Sequence, residues 1–424
     1  MDKFIIEGGL PLKGVVEPSG NKNAALPILA ACLLTEEKII LNNLPNIQDV
    51  QTMRALLQSL GVTIVQIDPH KWEIQAKDIQ PSDLDPDLSS KIRASILLAG
   101  PMLARAGTLN LPPPGGDVIG RRRVDTHILA LTALGAQIKY NRFFSFTASS
   151  LAGADILLDE ASVTATENVI MAAVLAKGST TIRNAASEPH VQELCYFLKT
   201  LGANIENIGS NTLQIQGVPK LHGGEYEIGA DYLEVASFIG AAIVTKGSIR
   251  IKKAGTKYLN MIRLVYQRLG VNWQVDGDDI IVPPNQNLVI ESDLGEAIPE
   301  ISVMPWPAFP TDLMSIAIVI ATQSTGTVLF HDWMYPSRMF FTDKLVGMGA
   351  QIVLCDPHRC IVQGPSQLFG EKMESPDIRA GMALLLAALS AKGRSTIRNV
   401  SQIERGYERI DEKLLKLGAS ISRQ

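Results

Sequence analysis

One helix-ending phrase recurs six times along this 424-residue chain, and it restricts the fold more than any other feature. The phrase is Leu-x-x-Leu-Gly-(Ala/Val), or a close variant, followed by an alternating run. Its copies are "LLQSLGVTIVQI", "ALTALGAQIKY", "FLKTLGANIENI", "VYQRLGVNWQV", "KLVGMGAQIVL" and "LLKLGASIS". Their glycines, Gly61, Gly135, Gly202, Gly270, Gly349 and Gly418, lie 67 to 79 residues apart. A second phrase runs in step, an apolar helix, a small residue with Gly, then a β-rich strand. It reads "LARAGTLNL", "LAKGSTTIRN", "VTKGSIRIKK", "ATQSTGTVLF" and "SAKGRSTIRNV", with a degenerate first copy "LLTEEKIILNN". Gly after a helical run predicts a left-handed C-cap, and Thr/Val/Ile alternation after it predicts a strand.

Each unit of about 70 residues therefore carries two helices and several short strands. Such a unit cannot bury its faces alone, so the copies must pack on one another in an α/β fold. No long Pro/Gly/Ser linker divides the chain, and three copies on each side of about residue 230 is the simplest division. Hydrophobic residues make up 46% and charged residues 19%, an ordinary globular balance. A net charge of −4 gives no electrostatic reason to expect nucleic acid. The start "MDKFIIEGGL" lacks a secretory pattern, and no apolar run is long enough to span a bilayer. Four cysteines are too few for a disulfide scaffold, so the expected setting is cytoplasmic, without a membrane partner.

Five stretches offer chemistry. "EPSGNKNAALPILAACLL" sets Asn21, Lys22 and Asn23 before a small-residue helix, where an ammonium and free N–H groups suit an anion. "PPPGGDVIGRRRVDTH" (112–127) reads as a mobile loop whose arginines suit phosphate, though it lacks the P-loop Gly-Lys-Ser/Thr. "PWPAFPTDLM" holds Asp312 before an apolar run. Locally Asp312 reads first as a helix cap, and a rigid carboxylate there is also how a general base is held. "SPDIRAGMALLL" and "IERGYERIDEKL" place Arg379 and Arg405 near expected helix starts. "CDPHRC" (355–360) reads as a hairpin turn rather than a zinc site, and neither HExxH nor GxGxxG occurs, so no metal and no cofactor are expected.

Together these stretches resemble the enolpyruvyl transferase family across essentially the whole chain. The motifs that carry the likeness are "SGNKNAALP", "RASILLAGPMLAR", "PGGDVIGRRRVDTH", "SVTATEN", "NAASEP", "PAFPTD", "DIRAG" and "RGYERIDEKL". The resemblance implies a two-domain inside-out α/β barrel of six βαβαββ-like repeats, three per domain. The implied domains are residues 22–229, carrying a lid loop at 112–123, and residues 1–21 with 230–424. It implies transfer of the enolpyruvyl group of phosphoenolpyruvate to the 3-hydroxyl of UDP-N-acetylglucosamine, the first committed step of peptidoglycan synthesis.

Family roles then fall on matching positions. Lys22, Arg122, Arg379 and Arg405 would hold phosphoenolpyruvate, while Asn23 and Asp312 would face the sugar hydroxyl. Arg93, Arg122, Arg123, Val124, Asp125, Thr126, Ser162, Val163, Thr164 and Met334 would line the UDP sugar, and Arg338 belongs to the substrate-binding set. Asp312 would be the base, Asp117 the general acid, and Lys22 and Arg405 would stabilise developing charge. At the Asp117 position most members carry a cysteine that the epoxide fosfomycin alkylates, so an aspartate there implies resistance. A free aspartate has a pKa of about 3.9 and the adjacent arginines lower it; a bound anion opposes them and favours the acid form.

Three departures lie near the acceptor or the hinge: Thr164 where a glycine is usual, Tyr232 where an arginine is common, and Trp306-Pro307 where a histidine is frequent. They leave open a paralogue that uses another nucleotide or shikimate 3-phosphate, and a non-catalytic sugar-nucleotide-binding homologue.

Overall fold

The computed structural model describes residues 2–81, 83–116 and 123–424. Two compact units emerge: residues 2–19 with 230–424 form one, and the described residues between 20 and 229 form the other. All six repeat glycines have positive φ, between 85° and 104°, a conformation that side chains resist. They terminate the helices Gln48–Ser59, Asp125–Ala133, Pro189–Thr200, Asn260–Arg268, Thr342–Gly347 and Ile410–Lys416, and a strand follows each.

The second phrase holds with one correction. Its strands are Ile39–Asn42, Thr108–Leu111, Ser179–Arg183, Ser248–Ile251, Gly326–His331 and Arg394–Arg398. In "VTKGSIRIKK", however, the left-handed residue is Lys246, φ 55°, and not Gly247. Gly247 serves close approach instead, because a Cβ there would lie 2.2 Å from the Leu12 carbonyl oxygen.

Five of these six strands are interior to a four-stranded sheet, and Thr108–Leu111 is the edge of a three-stranded one, three sheets per unit. Each pairs antiparallel with one neighbour, usually the returning arm of the hairpin that follows. Its other neighbour is parallel and comes from elsewhere in the chain. Ile39–Asn42 lies between Lys71–Gln75 and the parallel strand Gly224–Glu227, so the last strand of this unit closes onto its first. Thr108–Leu111 has the same antiparallel partner type, Phe143–Thr147, but its parallel neighbour shrinks to a single bridge, Asp83 with Asn110.

The N-terminal segment supplies two strands to the other unit. Lys3–Glu7 pairs antiparallel with Arg394–Arg398 and Ser420–Arg423, and Lys13–Val16 pairs parallel with Ser248–Ile251. The buried pair Phe4 and Ile397 fixes the register, since a one-residue slip would turn both toward water.

The sheets surround helices that are apolar on every side, which is the pattern of a helix inside a domain. Tyr232–Val244 and Met314–Ala321 are buried along their whole lengths, and Ile378–Ser390 is buried except for its last residue. Lys22–Ala31, Ala99–Ala106 and Val163–Ala173 are the largely buried helices of the other unit. Each fully buried Leu or Ile in them contributes roughly 1.5–3 kcal/mol of transfer free energy. Among the described residues no helix is long and apolar enough to cross a membrane. The "CDPHRC" stretch is the expected hairpin, strands Gln351–Asp356 and Arg359–Gly364, with Asp356 accepting from Arg359 at the turn.

Candidate functional site

Polar residues collect at the N-terminal ends of the core helices, where the first backbone N–H groups have no partner inside the helix. In the unit that holds both chain termini, the centre is Asp312. The carboxylate accepts from Arg338 Nη2 at 2.5 Å and from Arg379 Nε at 3.3 Å. It caps no helix: the short turn Thr311–Leu313 begins at Pro310, and the helix Met314–Ala321 has no side-chain cap. The cap reading therefore fails, because two guanidiniums reach Asp312 from distant segments and outcompete local N–H donors.

The cap at the neighbouring helix is Asp377, which accepts from the backbone N–H of Arg379 and Ala380 at 2.8 and 3.0 Å. Its carboxylate also lies 3.9 Å from Arg338. Arg338 and Arg379 are only 8% and 6% exposed, which is costly for a charge unless it is compensated. Burial alone would lower the pKa of Arg379, but facing groups more than offset it and the net shift is upward. Tyr407, kept neutral by its own burial, carries no charge near neutral pH, so Asp312 and Asp231 are the effective counter-charges. The Arg379 guanidinium sits 5.4 Å from the Tyr407 ring centre, and the Tyr407 hydroxyl is 2.9 Å from Ser237 Oγ. Among the described residues, Arg379 Nη1 has no hydrogen-bond partner although it is buried. A rigid, charged donor of this kind is suited to an anionic substrate.

Met334 is placed by the same network. Asp332 accepts from the Met334 backbone at 3.0 Å and from the Thr311 hydroxyl at 2.5 Å, one residue before Asp312. Arg405, expected near a helix start, instead follows the end of the short helix Ser401–Glu404 and donates to Gln402 at 3.3 Å. The chain turns there because Gly406 packs on Ile378, where a Cβ would meet a methyl at 2.4 Å. Two of the sequence departures touch each other: the Tyr232 and Trp306 rings meet edge to face with centroids 5.9 Å apart.

In the other unit, Asn21 caps the helix Lys22–Ala31 and accepts from the Asn23 and Ala24 N–H groups. Lys22 is buried and forms a 2.7 Å pair with Asp49, itself buried. A second cluster surrounds the helix Val163–Ala173, which Ser162 caps by accepting from the Ala165 N–H. Arg93 donates to the Arg123 carbonyl at 2.7 Å, Arg123 pairs with Asp159 and Glu160, and the Thr126 hydroxyl donates to Asp159 at 2.6 Å. Val124 precedes the helix Asp125–Ala133, and Asp125 lies in its first turn. Thr164 Oγ1 lies 3.0 Å from Nε2 of buried His127. The calls at Asp117 and Arg122 lie outside the described residues.

Several contributors escaped the sequence reading as site residues. Asp377 and Tyr407 stand inside quoted motifs, "DIRAG" and "RGYERIDEKL", but only their contacts reveal a role. Asp49 carries no local signal, since its link to Lys22 exists only after folding.

The described family model for EPSP synthase (3-phosphoshikimate 1-carboxyvinyltransferase) matches residues 6–414. The UDP-N-acetylglucosamine 1-carboxyvinyltransferase of Bradyrhizobium diazoefficiens is 57% identical over 421 residues, covering 99% of this chain and 98% of its own. The protein of the same name from Treponema denticola is 54% identical, covering 99% of each. Among solved structures, the enolpyruvyl transferase NikO from Streptomyces tendae superposes with a TM-score of 0.89 at 23% identity, covering 100% of this chain and 99% of its own. EPSP synthase from Acinetobacter baumannii gives 0.77 at 18% identity, covering all of both chains. At such identities the structural likeness speaks for the fold alone, the two-domain inside-out α/β barrel.

Proposed function

Because the chain belongs to the enolpyruvyl transferase family, we propose that it transfers the enolpyruvyl group of phosphoenolpyruvate to the 3-hydroxyl of UDP-N-acetylglucosamine and releases phosphate, the first committed step of peptidoglycan synthesis. The choice of acceptor rests on sequence distance. Full-length relatives named for UDP-N-acetylglucosamine stand at 46–57% identity, whereas the EPSP synthase structure stands at 18%.

The observation that carries the chemistry is the Asp312 carboxylate held between Arg338 and Arg379. In the proposed reaction the acceptor hydroxyl attacks C2 of phosphoenolpyruvate as Asp312 takes its proton. Asp117 delivers a proton to C3, giving a tetrahedral phospho-ketal. Loss of a proton from C3 and departure of phosphate restore the double bond as an enol ether. Lys22, Arg122, Arg379 and Arg405 would hold the phosphate and carboxylate of phosphoenolpyruvate and stabilise charge as it develops. Asn23, Arg93, Arg123, Val124, Asp125, Thr126, Ser162, Val163, Thr164, Met334 and Arg338 would position the acceptor. Phosphoenolpyruvate and the UDP sugar are then the partners, and the chemistry is that of a cytoplasmic enzyme.

The product decides the matter. Mass spectrometry and NMR of the reaction mixture should show UDP-N-acetylglucosamine carrying an enolpyruvyl ether at O3. Recovery of unmodified UDP sugar after prolonged incubation with phosphoenolpyruvate would refute the assignment.

A further inference from the structure

The helix Val163–Ala173 begins beside a buried side-chain relay whose protons can all be placed. Asn168 is fully enclosed, and two backbone groups fix the orientation of its amide. The Gly100 N–H donates to Oδ1 at 2.8 Å, and Nδ2 donates to the Ile96 carbonyl at 2.8 Å. A flipped amide would set donor against donor and acceptor against acceptor. The other Nδ2 proton therefore faces His127 Nδ1, 2.9 Å away, and that nitrogen must accept.

His127 is held neutral, its pKa pushed down to about 3 by burial and, secondarily, by Arg93. A neutral imidazole has one N–H, and with Nδ1 accepting it must be on Nε2. Nε2 then donates to Thr164 Oγ1 at 3.0 Å. The hydroxyl proton of Thr164 cannot return along that bond, and it donates to no other described residue. Thr164 is half-buried in the first helical turn, beside backbone N–H groups that the helix leaves without internal partners.

We propose that the Thr164 hydroxyl is a fixed hydrogen-bond donor to the diphosphate of the acceptor, with His127 and Asn168 as positioning residues that hold it in that role. The proposal rests on the reading above, in which the Ser162–Val163 segment lines a UDP sugar. A diphosphate offers only acceptor oxygens, so a hydroxyl locked as a donor recognises it. A group that presents no acceptor atom at that place leaves the donor unpaired. The side chain that departs from the family pattern is thus a contact rather than an obstruction. Receiving a hydrogen bond from His127 also polarises the hydroxyl and strengthens it as a donor.

Steady-state kinetics of Thr164→Val test this, since valine keeps the shape and removes the hydroxyl. The KM for UDP-N-acetylglucosamine should rise about tenfold to a hundredfold, the loss expected for one hydrogen bond to a charged group. The KM for phosphoenolpyruvate and kcat should stay within about twofold, and Thr164→Ser should restore most of the acceptor affinity. Independently, 15N NMR of the histidine-labelled wild-type protein should show His127 as the Nε2–H tautomer. An unchanged acceptor KM in Thr164→Val, or an Nδ1–H tautomer, overturns the proposal while wild-type turnover leaves the functional reading standing. Failure of the wild type to turn over the UDP sugar removes both.

Discussion

A carboxylate fixed by two buried guanidiniums keeps one orientation, and a general base needs that more than it needs exposure. Asp312 meets this condition through Arg338 and Arg379. Asp312→Asn keeps the shape and removes the base, so kcat should fall by about two to four powers of ten while the UDP sugar still binds. Calorimetric titration alongside turnover checks both halves, and near-normal turnover would return Asp312 to a structural role. Asp117 invites a second residue-level test. A carboxyl is a far poorer nucleophile than a thiolate toward an epoxide, so the wild-type protein should remain unlabelled and active in fosfomycin. Asp117→Cys should gain a covalent adduct that mass spectrometry detects, and an adduct on the wild type would contradict the account.

At the scale of elements, the six repeat glycines were legible because a left-handed cap writes itself locally, as a glycine between helix and strand. The parallel strand of each sheet was not. Nothing in "GEYE" says that it lies beside Ile39–Asn42, or in "KGVV" that it lies beside Ser248–Ile251, because pairing across so many residues is decided by packing. Site residues divide in the same way. Lys22 and Arg379 stand out in their own motifs, whereas their companions Asp49 and Asp377 emerge from the fold. Elements are also joined by buried charge: Lys413 Nζ contacts Glu234 at 2.5 Å and Ser19 at 2.7 Å. Burial raises the Glu234 pKa, with Lys413 opposing. Lys413→Met would leave Glu234 buried without its counter-charge and should cost about 3–5 kcal/mol. Denaturant unfolding at neutral pH measures that loss, and an unchanged midpoint would argue against it.

For the whole molecule, stability should carry a signature of the fully buried Glu167, whose pKa burial raises well above the ordinary value, with Glu188 adding to the shift. The folded state therefore keeps a proton that the unfolded chain gives up near pH 4.3. Stability falls as pH rises above that point, and the loss is absent below it. Glu167→Gln should thus be more stable than the wild type at pH 7, with the gap closing below about pH 4; thermal melts across pH would show it. The family and the inside-out barrel were within reach of one sequence. The acceptor depended on comparison, since Thr164, Tyr232 and Trp306 depart from pattern where the acceptor would lie. Phosphate release from phosphoenolpyruvate, followed with UDP-N-acetylglucosamine and with shikimate 3-phosphate in parallel, tests that central claim most directly. The account predicts rapid release with the UDP sugar and none above background with shikimate 3-phosphate; the reverse preference would contradict it.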